Sequence, residues 1–90
     1  MKKNDIKIIE NIFNQEASIT ENDSIIYVYL YFSHSGLFSL SFCKIKNDFG
    51  IYTTKTLNKE EAIKYQQYLD IFIKNYDVLY KIFLKYSNKR

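Results

Sequence analysis

The stretch Ser24-Ile-Ile-Tyr-Val-Tyr-Leu-Tyr-Phe-Ser33 alternates aliphatic residues with tyrosines at 27, 29 and 31. Successive side chains of a β-strand point to opposite faces, so the stretch predicts a strand with two chemically different sides. Ile26, Val28, Leu30 and Phe32 make one side; Ile25, Tyr27, Tyr29 and Tyr31 make the other. The segment that follows, Leu37 to Lys46, divides in the same way, with Phe38, Leu40 and Phe42 opposed to Ser39, Ser41 and Cys43. A three-residue loop, His34-Ser35-Gly36, would place glycine where a type I turn with a G1 bulge needs positive φ. That register pairs Phe32 with Phe38, Leu30 with Leu40 and Val28 with Phe42, and on the second face Tyr31 with Ser39, Tyr29 with Ser41 and Tyr27 with Cys43. A two-residue loop would put apolar side chains on both faces, so pattern and turn chemistry favour the same hairpin.

Outward from this hairpin, Asp48-Phe49-Gly50 predicts a second turn and Ile51 to Thr56 a third, more polar strand at the sheet edge. Its register is ambiguous by one residue, which leaves Tyr52 assignable to either face. Upstream, Ile6, Ile9 and Phe13, flanked by Ile8 and Ile12, follow helical spacing behind Asn4 or Asp5 as a cap, and predict a short helix over 5–17. The polar run Thr20 to Ser24 then separates that helix from the tyrosine strand.

Downstream, Leu57-Asn-Lys-Glu-Glu-Ala62 has the form of a capping box, with Asn58 as cap and Glu61 at N3. From there Ala62, Tyr65, Leu69, Phe72, Tyr76, Leu79, Phe83 and Tyr86 recur at alternating intervals of three and four, a heptad seam in a helix over 58–86. Such a helix spans roughly 43 Å at 1.5 Å per residue, against about 17–20 Å for a typical strand. It must overhang the sheet unless it breaks near Asn75 and folds back as two helices over one core. Its second half is apolar beyond the seam as well, so Phe72, Tyr76, Leu79, Tyr80, Phe83 and Tyr86 are expected to meet a second subunit in a homodimer. The expected fold is α+β with the order αβββα. It is a single domain over residues 1–90 in which a three-stranded antiparallel meander is packed on one face by a long C-terminal and a short N-terminal helix.

Ninety residues suffice for one modest core, and an apolar fraction of 47% with 18% aromatics is that of a folded chain. Proline and tryptophan are absent and Arg90 is the sole arginine, a composition expected of an AT-rich coding sequence. The opening ten residues interrupt their apolar side chains with charges, and no apolar run approaches a membrane span, so a soluble, cytoplasmic protein is expected. One cysteine, Cys43, cannot close an internal disulfide. The net charge of +3 is unevenly placed, with Lys81, Lys85, Lys89 and Arg90 forming a basic tail that contains no acid.

The inventory for catalysis is thin. His34 is the one histidine, in a turn, with no second catalytic group near it in sequence, and Glu60 and Glu61 have a sufficient role at a helix N-terminus. One Cys and one His cannot build a standard zinc site, and no glycine-rich phosphate loop is present. We therefore expect no enzyme activity, no metal and no cofactor.

Two binding readings remain. The element order is similar to that of double-stranded-RNA-binding domains, which open their second helix with a lysine cluster. The corresponding stretch, Asn58 to Lys64, sets Glu60 and Glu61 where phosphates would lie. Single strands suit the tyrosines better, since bases stack on exposed rings and Lys44, Lys46 and Lys55 would flank them. A protein partner suits Tyr27, Tyr29 and Tyr31, with Lys44 and Lys46 beside them, better still, because tyrosine is enriched at interface hot spots. In size and architecture the chain is similar to small phage-borne inhibitors, anti-CRISPR proteins among them. That likeness implies a protein-binding module that occludes a host enzyme or defence complex, with single-stranded nucleic acid as the alternative ligand.

Overall fold

The computed structural model describes residues 1–31, 37–53 and 55–88. Within them the chain is α+β: helix α1 (Lys3–Phe13), strands β1 (Ala17–Glu21), β2 (Ile25–Tyr31), β3 (Leu37–Cys43) and β4 (Phe49–Thr53), then helices α2 (Lys59–Lys74) and α3 (Tyr76–Leu84). The strands form one antiparallel sheet in the order β1-β2-β3-β4. The helices lie together on one side of it.

Strand β2 divides the molecule. Ile26, Val28 and Leu30 are fully buried, as are Phe38, Leu40 and Phe42 beside them on β3. Ring contacts show what covers this floor. Phe13 of α1 and Tyr68 of α2 meet Phe38 at 5.4 and 4.6 Å, and Phe83 of α3 meets Phe42 at 5.7 Å and Phe49 at 4.9 Å. The core is therefore a single layer between sheet and helices, completed by Ile9, Phe72, Leu79 and Ile82.

The segregation of faces is as expected, while the pairing between β2 and β3 differs by two residues. Leu30 faces Phe38, Val28 faces Leu40 and Ile26 faces Phe42, with Tyr29 opposite Ser39 and Tyr27 opposite Ser41. A shift of two keeps every side chain on its own face, so the hydrophobic pattern satisfies both registers equally. Phe32 and the expected turn His34-Ser35-Gly36 lie outside the described residues.

Other boundaries differ as well. Helix α1 ends at Phe13 because Asn14 takes a left-handed conformation (φ 54°, ψ 43°) that turns the chain out of the helix. The freed residues 17–21 form β1, a fourth strand in place of the end of the helix and part of the polar spacer. Its Ala17 and Ile19 point inward, Ser18 and Thr20 outward, and the Glu10 carboxylate accepts the Ala17 N–H at 2.9 Å. The hairpin to β2 is tight: Asn22 Oδ1 accepts from the N–H groups of Ser24 and Ile25, and Asn22 N–H donates to Ile25 O. Between β3 and β4 the turn falls at 44–47, closed by Asn47 at φ 59°, so that Phe49 and Gly50 belong to the strand.

The capping box at Asn58 and Glu61 forms, with Asn58 Oδ1 accepting Glu61 N–H at 2.8 Å. The C-terminal helix then breaks at Asn75. Its side-chain amide and its backbone N–H both donate to Ile71 O, at 2.8 and 3.0 Å, the local competition with helix bonding that makes asparagine a poor interior residue. The break does not fold the halves back on each other, since Phe72 and Tyr76 on either side of it meet the same ring, Phe49, at 5.4 and 5.5 Å, and the Leu79 N–H donates to Asn75 O as in a continuing helix. Nine residues of α3 bury Leu79, Ile82 and Phe83, whereas sixteen of α2 bury Tyr68 and Phe72. The thinly packed end is thus the start of α2, where Ile63 is exposed, and the second half is the well-packed one.

The ends of the chain close on each other. Asp5, expected as a helix cap, is instead 3% exposed and accepts from the Tyr86 hydroxyl and, at 3.0 Å, from Lys85 Nζ. Tyr86 Oη in turn accepts the Lys2 N–H at 3.0 Å. The Tyr86 hydrogen bond holds the Asp5 carboxyl below its ordinary value against the opposing effect of burial, with Lys85 adding to the shift. A carboxylate with a depressed folded pKa adds stability above its unfolded value of 3.8, and that stability is lost as pH falls through the folded value. Asp5→Asn should therefore melt below wild type at pH 7, with the gap closing as pH is lowered from about 5 to about 2. A gap constant over that range in thermal melts would show that the carboxylate is not charged in the fold.

Candidate functional site

The sheet face opposite the helices carries the tyrosines. Cross-strand rows run Ser18, Tyr29, Ser39, Tyr52 and Thr20, Tyr27, Ser41, Gly50. Tyr52, assignable to either face from sequence, joins this one because the turn at 44–47 pairs it with Ser39. The Tyr27 and Tyr29 rings stack at 6.0 Å with 21° between planes, and Tyr52 meets Tyr27 edge-on at 6.2 Å. Tyr31, half exposed, extends the line toward the end of β2. Serine, threonine and glycine around these rings leave them standing above a low surface.

Burial of the Tyr52 phenol pushes its pKa up, with the nearby Ser39 hydroxyl acting in the other direction. Ser39 is itself fully buried, and its Oγ has no hydrogen-bond partner of good geometry among the described residues. A buried hydroxyl left unpaired costs free energy, and such local faults concentrate at sites kept for another purpose. Beside it a depression of about 270 Å³ is lined by Ser41, Cys43, Asp48, Gly50 and Tyr52 among others. That is below the usual size of a pocket that encloses a small molecule, so the face is suited to contact rather than engulfment.

The basic residues expected beside the tyrosines are placed differently. Lys44 Nζ lies 2.7 Å from the Glu21 carboxylate, which also receives the Met1 ammonium at 2.7 Å. Burial opposes ionisation of Glu21, but these two cations outweigh it and hold its pKa below the ordinary value. Lys55 is likewise 2.7 Å from Glu61. Lys46 remains exposed in the turn.

Of the helix residues expected at a dimer contact, Phe72, Leu79 and Phe83 are buried against the sheet of the same chain. Tyr80 is half-buried and donates to Asn47 O at 3.2 Å, while Tyr86 joins the Asp5 clasp. Tyr76 is 36% exposed. These six are therefore core and clasp residues more than one outward surface.

Among the described residues, no group of three or more His, Cys, Asp and Glu is placed to hold a metal ion, and no helix is long and apolar enough to cross a membrane. His34 lies outside them. Compared with protein-family models, curated proteins and solved structures, the chain gives no match.

If the tyrosines are surface and the aliphatic row is core, Tyr29→Ser should cost less than about 1 kcal/mol and Leu30→Ser about 3 kcal/mol or more in urea denaturation. The reverse order would invert the two faces. Ser39→Ala, which removes the unpaired hydroxyl, should stabilise the fold by about 1 kcal/mol.

Proposed function

We propose that the chain is a non-enzymatic protein-binding module whose contact surface is the tyrosine face, acting by covering a site on another protein. The observation that carries this reading is the cluster of Tyr27, Tyr29, Tyr31 and Tyr52 on the sheet face opposite the described helices. Each ring offers a large, stiff apolar area with a hydroxyl at its tip, and the hydroxyl groups of Ser18, Thr20 and Ser41 supply further hydrogen bonds. Little conformational entropy is lost on docking, because Tyr27, Tyr29 and Tyr52 already restrain one another. An inhibitor that occludes a host enzyme or defence complex is the form of this function that the chain's size and architecture suggest.

Single-stranded nucleic acid is the second reading, carried by the same stacked rings. It is weaker because phosphate needs free cations, and Lys44 and Lys55 are each engaged by a carboxylate. An oligothymidylate should accordingly bind more weakly than micromolar at physiological salt. Submicromolar binding that declines steeply with added salt would reverse the order of the two readings.

The protein reading is tested by affinity capture from a lysate of the source organism with the wild-type chain and with the double variant Tyr27→Ser, Tyr29→Ser. The expected result is a protein retained by wild type and lost with a variant that still melts cooperatively. Equal retention by both would remove the tyrosine face from the interaction.

A further inference from the structure

Strand β4 lies at an edge of the sheet. The Cys43 N–H donates to Asp48 O at 2.8 Å, which sets the phase of the β3–β4 ladder. In an antiparallel ladder hydrogen-bonded pairs alternate with non-bonded ones. Gly50 and Tyr52 therefore bond inward to Ser41 and Ser39, and the N–H and C=O groups of Phe49 and Ile51 point away from the sheet. Those two residues make no other hydrogen bond among the described residues. Natural sheets protect such edges with charge, proline or a bulge, and Phe49-Gly-Ile-Tyr-Thr53 has no charged residue and no proline. The opposite edge differs, for β1 ends in Glu21 and its Ala17 N–H is taken by Glu10.

We infer that β4 pairs with β4 of a second copy, antiparallel about a two-fold axis through Ile51, to give a continuous eight-stranded sheet. The segment is self-complementary in this register. Ile51 meets Ile51 of the other copy and exchanges both backbone hydrogen bonds with it; Phe49 lies opposite Thr53, and Gly50 opposite Tyr52. A side chain placed on Gly50 would meet nothing within 4 Å, so nothing at that position obstructs the approach of the opposing strand. On the helix side the seam is apolar too, since the exposed Tyr76 ring sits 5.5 Å from Phe49. An axis normal to the sheet leaves both tyrosine faces on one side and both helical layers on the other. The inference does not depend on what binds the tyrosines.

The test uses Ile51→Pro. Proline removes an N–H that points outward, so the β3–β4 ladder of the monomer is kept while the two-fold pair of bonds is lost. Sedimentation equilibrium of the full chain at tens of micromolar should give twice the 10.8 kDa chain mass for wild type. The variant should dissociate at least roughly tenfold more readily. Amide hydrogen exchange on wild type provides the reading if the variant fails to fold. The Phe49 and Ile51 amides should be protected in concentrated protein and exchange freely on dilution. A wild-type monomer, a dimer indifferent to Ile51→Pro, or fast exchange of both amides at every concentration would each overturn the proposal.

Discussion

The two-residue period of β2 is the constraint on which the rest depends. Because Ile26, Val28 and Leu30 are fully buried, Tyr27, Tyr29 and Tyr31 have no choice of side. Each neighbouring strand must then match this division or bury a polar group. β3 does so with phenylalanine and leucine against serine, β1 with alanine and isoleucine against serine and threonine, and β4 with Phe49 and Ile51 against Gly50 and Tyr52. Three amphipathic helices over one apolar floor follow from that, since the opposite face offers no comparable aliphatic area.

How much of this can be read in the residues depends on whether an error changes a face. The β2–β3 register expected from turn chemistry differs from the structure by two residues, and nothing in the apolar pattern could detect it, because parity is unchanged. β1 escapes notice for another reason. With Ala17 and Ile19 as its only inward apolar residues it has too few periods to separate strand from helix end, and the residue that decides, Asn14, acts through its left-handed backbone. The long apolar seam allows either an unbroken helix or a break near Asn75 that folds back, and the structure has a break without the fold-back. A side chain bonding back to Ile71 O, invisible in periodicity, selects it.

The candidate site shows the same division. Tyr27, Tyr29 and Tyr31 are legible because a strand's alternation places them without knowledge of any partner strand. Tyr52 is not, since its face depends on where the preceding turn closes, a matter settled by Asn47. Lys44 looks free in sequence because its neutralising partner, Glu21, is remote along the chain and adjacent only once β1 is in place. The unpaired Ser39 hydroxyl is likewise a property of packing, as a serine on a tyrosine face would ordinarily be counted as solvated.

The clasp between Asp5 and Tyr86 joins residues 81 apart in a chain whose strand pairings all link consecutive strands. The sheet can be assembled hairpin by hairpin, with little loop entropy lost at each step, whereas the clasp must close nearly the whole chain into a ring. Order in time thus runs against order in space. The tyrosine face belongs to the part that forms from local contacts, while the seam between the first and last helices completes later and is the natural place for the molecule to open first.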